Sequence, residues 1–149
     1  MGKSRVMEEI IALCDTLSPE EDDLSREIVN RLADKWSLWT MAVLASAGIP
    51  LRFSRIMDQV EGVSQKSLTK ALRQLERDGL ATRKVFAEVP PRVEYAVTEL
   101  GLEMLEHVEP LWIWAATSVK RFKAARADYD RGLTPNGARE SGPVPERVW

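Results

Sequence analysis

The 149-residue chain has 44% hydrophobic and 30% charged residues, which is the composition of an ordinary globular domain. No run of 18 apolar residues is present, and the first 15 residues lack the apolar core of a signal peptide. We therefore expect no membrane span, no membrane partner and a cytoplasmic location. The single cysteine, Cys14, excludes an intramolecular disulfide.

Two amphipathic helices are predicted before Lys35. Between Ser4 and Leu17, apolar residues recur at spacings of four, three and four, which is typical of one helical face (Val6, Ile10, Leu13 and Leu17). Ser18 is a suitable N-cap for a second helix that starts at Pro19, because its hydroxyl can accept an unpaired backbone N–H. The apolar face of that helix carries Leu24, Ile28, Val29 and Leu32.

Three more helices are predicted before the first strand. Lys35 to Ala47 is apolar on nearly all sides, which indicates a buried central helix ending at Gly48. Leu51 to Val60 predicts a short helix. A longer one follows from Ser64, another suitable N-cap, to Asp78. Its core face carries Leu68, Ala71, Leu72 and Leu75.

A β-hairpin and a long helix follow. Leu80 to Val89 and Val93 to Val97 are rich in β-branched and aromatic residues. The two prolines between them cannot donate ladder hydrogen bonds, so they belong at the hairpin tip together with Arg92. A helix is then predicted from Thr98 to about Tyr129, kinked or broken at Pro110.

A short helix, a turn, a longer helix and a hairpin, in this order, are the layout of a winged helix-turn-helix. This is a mainly α fold with a small β-hairpin, and it inserts its longer helix into the DNA major groove. The charge distribution favours the same function. Residues 1–34 carry a net charge of −5 and residues 52–92 a net charge of +4, although the whole chain is at −2. Phosphate contact needs only a local positive surface, so we expect double-stranded DNA as a partner. Ordinary scatter of charges on a mixed surface is the alternative interpretation.

The side chains able to contact DNA are concentrated in the longer helix. Glutamine can pair with adenine and lysine or arginine with guanine, while hydroxyls and helix-start N–H groups can hold phosphates. The candidates there are Ser64, Gln65, Lys66, Ser67, Thr69, Lys70 and Arg73. Arg92 is expected beside the duplex, Arg83 and Lys84 nearer its backbone, and Arg52 belongs to the same basic region. A basic helix packed on a core with solvated lysines is the simpler alternative.

Two other classes of function are alternatives to a DNA-binding regulator. A winged helix can be a protein-interaction or dimerisation module, but such a module need not retain Lys66, Lys70, Arg73 and Arg92 together. An enzyme is the least favoured class, because one histidine and one cysteine without a phosphate loop or nucleophile motif offer little to build a site. His107 has no second imidazole, thiol pair or carboxylate cluster at ligand spacing, so neither a metal nor a cofactor is predicted.

Three segments resemble, in order and spacing, the signatures of HxlR-type transcriptional regulators, winged-helix relatives of the MarR group: KWSLWTMAVL, RFSRIMDQVEGVSQKSLTKALRQLERDGLATRKVF and EVPPRVEYAVTELG. The resemblance covers about residues 24–115. It implies a sequence-specific regulator, most often a repressor, with its recognition helix at Gln65 to Arg73 and Arg92 in the wing. It also implies a homodimer on a pseudo-palindromic operator, formed through the apolar surfaces of Val6 to Leu17 and Leu111 to Phe122.

The resemblance divides the chain into an N-terminal dimerisation helix with a linker (1–23), a winged helix-turn-helix domain with its C-terminal helix (24–127) and an irregular tail rich in glycine and proline (128–149). Many relatives carry a redox-sensing cysteine about a dozen residues before the KW pair. Asp23 and Leu24 occupy that place here, and Cys14 lies 21 residues before Lys35. We therefore interpret Cys14 as a small, partly buried apolar residue.

Tryptophans are numerous and suggest a site for a small apolar effector. Trp36, Trp39 and Trp112, with Trp114 and the methionines Met41, Met57 and Met104, can line an aromatic pocket between the central helix, the final helix and the dimer interface. Ordinary packing in the core and in the dimer accounts for the same residues and is the preferred interpretation.

Overall fold

The computed structural model describes residues 3–132, with side chains from residue 6 onward. It divides into two compact units, one extending to Val108 and the other starting at Glu109. In the described part of the chain, no helix is long and apolar enough to cross a membrane. The helices are α1 (Lys3–Cys14), α2 (Pro19–Ala33), α3 (Lys35–Ala47), α4 (Phe53–Gln59), α5 (Gln65–Arg77), α6 (Glu99–Thr117) and α7 (Val119–Asp130), and the strands are β1 (Leu51–Arg52), β2 (Ala81–Phe86) and β3 (Arg92–Val97).

The predicted helix boundaries in the first unit are set by caps. The Ser18 hydroxyl accepts the Glu21 N–H at 3.2 Å, and the Glu21 carboxylate accepts the Ser18 N–H at 2.7 Å, which forms a capping box at the start of α2. Asp34 ends α2 and caps α3 by accepting the N–H of Ser37. Gly48 ends α3 with φ of +62°, a conformation that glycine adopts without steric cost. The predicted bounds of α3 are confirmed.

The sheet has three antiparallel strands in the order β1-β3-β2 rather than the two of the predicted hairpin. Leu51 pairs with Tyr95 and Arg52 with Glu94, so the helix predicted to begin at Leu51 begins at Phe53. A two-residue strand is defined by its partner strand some forty residues later, which local periodicity cannot reveal. Arg92, predicted at the hairpin tip, is the first residue of β3.

The core of the first unit holds α5 in place. Its buried side chains come mainly from α3, α4 and α5, and the most deeply buried are Met41, Leu44, Ile56, Leu68, Leu72 and Leu75. The four apolar residues predicted for the inner face of α5 are all buried. Because that face is fixed in the core, the other faces of α5 must point away from it.

The start of α6 packs closely on Gly79 and Leu80, which follow the C-cap of α5. The Thr98 hydroxyl donates to the Gly79 carbonyl at 2.7 Å and accepts the Gly101 N–H at 3.1 Å, which confirms Thr98 as a helix cap. A Cβ atom at Gly101 would overlap the carbonyl oxygen of Leu80 and lie 2.8 Å from Cγ2 of Val97. Only glycine therefore fits at this contact without displacement of the backbone.

Of the two outcomes predicted at Pro110, a break is wrong, and a kink stays a prediction. Helix α6 runs through Pro110 to Thr117, and the interruption comes at Ser118, before α7. Proline removes a single N–H from the ladder, and the remaining bonds of the long helix hold it together. The Thr117 hydroxyl donates to the Ile113 carbonyl at 2.8 Å, a side-chain bond that competes with the helical ladder next to the break. The tail predicted to be irregular includes residues 128–130, which belong to α7, while residues 133–149 lie outside the described residues.

Candidate nucleic-acid interface

The N-terminus of α5 is organised by the hydroxyl side chains predicted to contact DNA. The Ser64 Oγ atom accepts the Ser67 N–H at 3.1 Å and donates to the Ser67 Oγ at 2.9 Å. The Thr69 hydroxyl donates to the Gln65 carbonyl at 2.8 Å. These contacts fix the first turn, so Ser64, Ser67 and Thr69 act on the helix itself before any contact with phosphate.

The polar side chains of α5 form an exposed basic surface. Gln65, Lys66, Lys70 and Arg73 are all exposed, in contrast to the buried apolar face of the same helix. Within residues 6–132, none of the ion pairs includes Lys66, Lys70 or Arg73. Three cations without a carboxylate partner are therefore available to phosphates or to guanine edges.

The C-terminus of α5 is attached to α2 by a buried ion pair. Arg31 Nε donates to Asp78 Oδ2 at 2.8 Å, and the two side chains are only 10% and 5% exposed. Arg31 also donates to Glu27 at 3.2 Å, and Glu27 lies 3.9 Å from Arg77. This network could not be predicted from the sequence, because Arg31 and Asp78 are 47 residues apart and carry no common local pattern.

The sheet presents further cations beside α5. Arg83 and Lys84 on β2 and Arg52 at the end of β1 are exposed, as expected for side chains that contact a DNA backbone. In the strand register, Arg52 and Lys84 are both opposite Glu94 of the central strand. The ammonium of Lys84 lies 4.9 Å from the ring centroid of Phe86, which also orders this side chain.

Arg92 differs from the other predicted DNA contacts because its charge is already paired. Its guanidinium lies 3.1 Å from a Glu88 oxygen and 3.6 Å from a Glu94 oxygen, with its central carbon 3.9 Å from the Phe86 ring centroid. The side chain is half-buried. Arg92 therefore joins the two strands of the wing, and a contact with DNA would have to compete with these carboxylates.

Comparison with known proteins decides the family. Residues 31–123 match the family model described as HxlR-like helix-turn-helix. The chain belongs to the HxlR-like helix-turn-helix family. The matched range extends from the end of α2 into α7 and includes α5 and the whole sheet.

Relatives of this HxlR-like protein are transcriptional regulators. It is 38% identical over 101 residues to an HTH-type transcriptional regulator of Methanothermobacter thermautotrophicus, covering 67% of this chain and 76% of the relative. It is 33% identical over 102 residues to YtfH of Escherichia coli, covering 68% and 79%. The solved structure of the regulator ytfH from Salmonella typhimurium superposes with a TM-score of 0.61 at 32% identity, covering 69% of this chain and 90% of that one. The protein is thus a transcriptional regulator with a helix-turn-helix DNA-binding fold, and not an enzyme.

The aromatic residues predicted to line an effector pocket have different surroundings in this HxlR-like regulator. Trp36 lies under the Lys35 ammonium and borders a polar cleft of about 260 Å³ next to Lys70, and Trp39 is partly exposed. Met41 is fully buried in the core, so it lines no pocket. Trp112 belongs to the other compact unit, and its grouping with Trp36 and Trp39 stays a prediction.

The pairing of Arg92 leads to a test of the wing. Arg83→Ala is expected to weaken DNA binding for all sequences and to reduce the slope of affinity against salt by about one, as for the loss of one phosphate contact. Arg92→Ala is expected to weaken binding for all sequences too, but with a smaller change in slope, because Glu88 and Glu94 already neutralise its charge. Fluorescence anisotropy titrations at several salt concentrations measure both slopes. A base preference altered at one position by Arg92→Ala would contradict this expectation.

Proposed function

We propose that this HxlR-like regulator binds a pseudo-palindromic operator as a homodimer and represses transcription, with α5 as the recognition helix in the major groove. One observation carries this proposal: the cations Lys66, Lys70 and Arg73 lie exposed and unpaired on a helix whose opposite face is buried. A basic helix held in this way suits insertion between two phosphate backbones. Repression is the proposed sign, because a dimer bound to promoter DNA excludes other proteins from it.

The side chains of α5 are assigned separate roles. Gln65, Lys66 and Arg73 read base edges, since amide and cationic groups match adenine and guanine respectively. Ser64, Ser67, Thr69 and Lys70 hold the adjacent phosphates, together with the N–H groups at the helix start. Arg83, Lys84 and Arg52 contact the backbone from the sheet.

Homodimerisation is supported by large apolar side chains exposed on helices outside the DNA-binding segment. On α1 these are Val6, Met7, Ile10, Ile11 and Leu13, of which Leu13 is 66% exposed. In the second unit they are Leu111, Trp112, Ile113, Trp114, Val119 and Phe122. Apolar surfaces of this extent on a protein in water mark association sites. A two-fold dimer would place the two α5 helices about one DNA turn apart, or roughly 34 Å.

Selection from a random library of DNA duplexes, at two salt concentrations, tests the proposed function. The full-length protein is expected to enrich a pseudo-palindrome with half-sites one helical turn apart. It is expected to bind less DNA at the higher salt concentration. No enrichment, with only salt-sensitive bulk binding or none, would overturn sequence-specific recognition. It would favour the alternative of a winged-helix interaction module.

The base-reading roles predict the effect of two substitutions in α5. Lys66→Ala and Arg73→Ala should each weaken operator binding by about 1–3 kcal/mol and relax the preference at one base position. Arg77→Ala is the matched control, because it removes a cation from the last turn of the same helix, close to Glu27. It should change the affinity less and alter no base preference. Anisotropy titration of the selected operator and of single-base variants measures these effects, and unchanged affinity in the two test variants would remove both residues from the interface.

A further inference from the structure

The first unit contains a groove that the sequence analysis did not predict. It has a volume of about 590 Å³, and its walls are apolar side chains at helical spacing: Leu24, Ile28 and Leu32 on α2, Leu100 and Met104 on α6, with Leu80 after the end of α5. Leu24 and Leu100 are each more than half exposed. The volume is within the range of small-molecule sites, which are mostly apolar with a few convergent polar groups.

The charged groups along this groove are mainly negative. Glu27, Asp78 and Glu103 line it, against one cation, Arg77, which is 77% exposed. Asp78 and Glu27 are paired with Arg31, but Glu103 takes part in none of the ion pairs within residues 6–132. An anionic ligand would meet this excess of carboxylates, whereas a cationic one would find Glu103 without a partner.

We propose that the groove between α2, the end of α5 and α6 is the effector site of this regulator, and that it takes a small molecule with an apolar body and a protonated amine. The body packs against the leucines and Met104, and the ammonium pairs with Glu103. Helix α1 carries Lys3 and Arg5 as well as Glu8 and Glu9, so α1 of a second copy would bring no net positive charge to these carboxylates.

The groove adjoins the recognition helix, which gives the site a way to act on DNA binding. Arg77 is the last residue of α5 and Asp78 its C-cap, and both line the groove. A ligand in the groove contacts Ile28 and Leu32 of α2 and Arg77 at the end of α5, so its binding shifts α5 relative to α2. This regulatory half rests on the proposed function. Bound amine is expected to lower operator affinity, and operator DNA must lower amine affinity by the same factor.

The single histidine of the chain, His107, lines the groove and provides a specific probe. Full-length protein without DNA is titrated with naphthylethylamine, and the imidazole C–H resonance of His107 is followed by NMR. The expected result is a saturable shift with the amine, a weaker one with naphthylethanol and none with naphthylacetate. No shift with the amine, or an equal one with naphthylacetate, overturns the site. A His107 shift on protein dilution that follows the oligomeric state identifies a second copy as the occupant and overturns it too.

A pair of variants on α6 tests the role of Glu103. Glu103→Gln should weaken naphthylethylamine binding about three- to fivefold, as for loss of an exposed ion pair, and leave naphthylethanol binding unchanged. Glu106→Gln, on the same helix but outside the groove, should leave both unchanged. Equal effects of the two variants would contradict the assignment of the ammonium to Glu103.

The effect of the amine on DNA binding is measured with the unaltered protein and with Glu103→Gln. Naphthylethylamine should lower affinity for the selected operator in the unaltered protein and do so less in Glu103→Gln. If His107 responds but operator affinity does not change, the regulatory half is overturned while the binding site stands. Because the NMR titration contains no DNA, failure of the proposed DNA function leaves its result intact.

Discussion

Replacing Asp78 by alanine is expected to lower the free energy of unfolding by about 3 kcal/mol, the loss typical of breaking a buried ion pair from one side. The variant leaves Arg31 nine-tenths buried with only Glu27 as a partner. Burial of an incompletely paired guanidinium is costly, and the exposed Glu27 carboxylate compensates for it only in part. Urea unfolding followed by circular dichroism measures the change.

Two further variants define the cause of that loss. Asp78→Asn keeps an oxygen that can accept from Arg31 Nε and should recover part of the stability. Arg26→Met breaks the exposed pair of Arg26 with Asp22 on the same helix as Arg31, and it should cost less than about 1 kcal/mol. A loss for Asp78→Ala no larger than that for Arg26→Met would show that the buried pair does not hold α5 to α2.

Replacing Gly101 by alanine is expected to destabilise the protein by about 2 kcal/mol, although alanine is the better helix former. The intrinsic preference favours alanine by roughly 1 kcal/mol. The added methyl group, however, would overlap the backbone oxygen of Leu80, and overpacking against a rigid backbone costs about 1–3 kcal/mol or more. The overlap therefore outweighs the propensity, and a thermal or urea unfolding curve should show a net loss.

Gly48→Ala is a control with a different physical basis. Its Cβ would have no atom within 4 Å, so the cost comes only from the left-handed backbone, at about 1 kcal/mol. Gly101→Ala should be the more destabilising of the two. The reverse order would mean that the start of α6 can move away from Leu80 without loss.

Most of the helical architecture could be predicted because it depends on local chemistry. The capping box at Ser18, the uniformly apolar α3 and the Ser64 cap of α5 are read from residues within one or two turns of each other. The exposed basic surface of α5 was predictable for the same reason, since a helical period separates Lys66 and Arg73 from the leucines.

The elements that the sequence did not predict depend on distant partners. Strand β1 exists because Leu51 and Arg52 reach β3, and the contact of Arg92 with the Phe86 ring on β2 requires the finished hairpin. The groove needs three segments that lie up to some eighty residues apart in the chain. Continuation of α6 through Pro110 has another cause: one lost hydrogen bond does not outweigh those on either side of it.

The residues that hold α5 in place are different from the residues proposed to select the DNA target. Its position is determined by the buried leucines, by Ser64 at one end and by Asp78 at the other, and none of these contacts involves the outward side chains of Gln65, Lys66 or Arg73. Surface substitutions of this kind usually change stability by no more than about 0.5 kcal/mol. With the base-reading roles proposed for these side chains, descendants of such a chain would exchange one operator for another by a few outward substitutions, each passing through a folded intermediate.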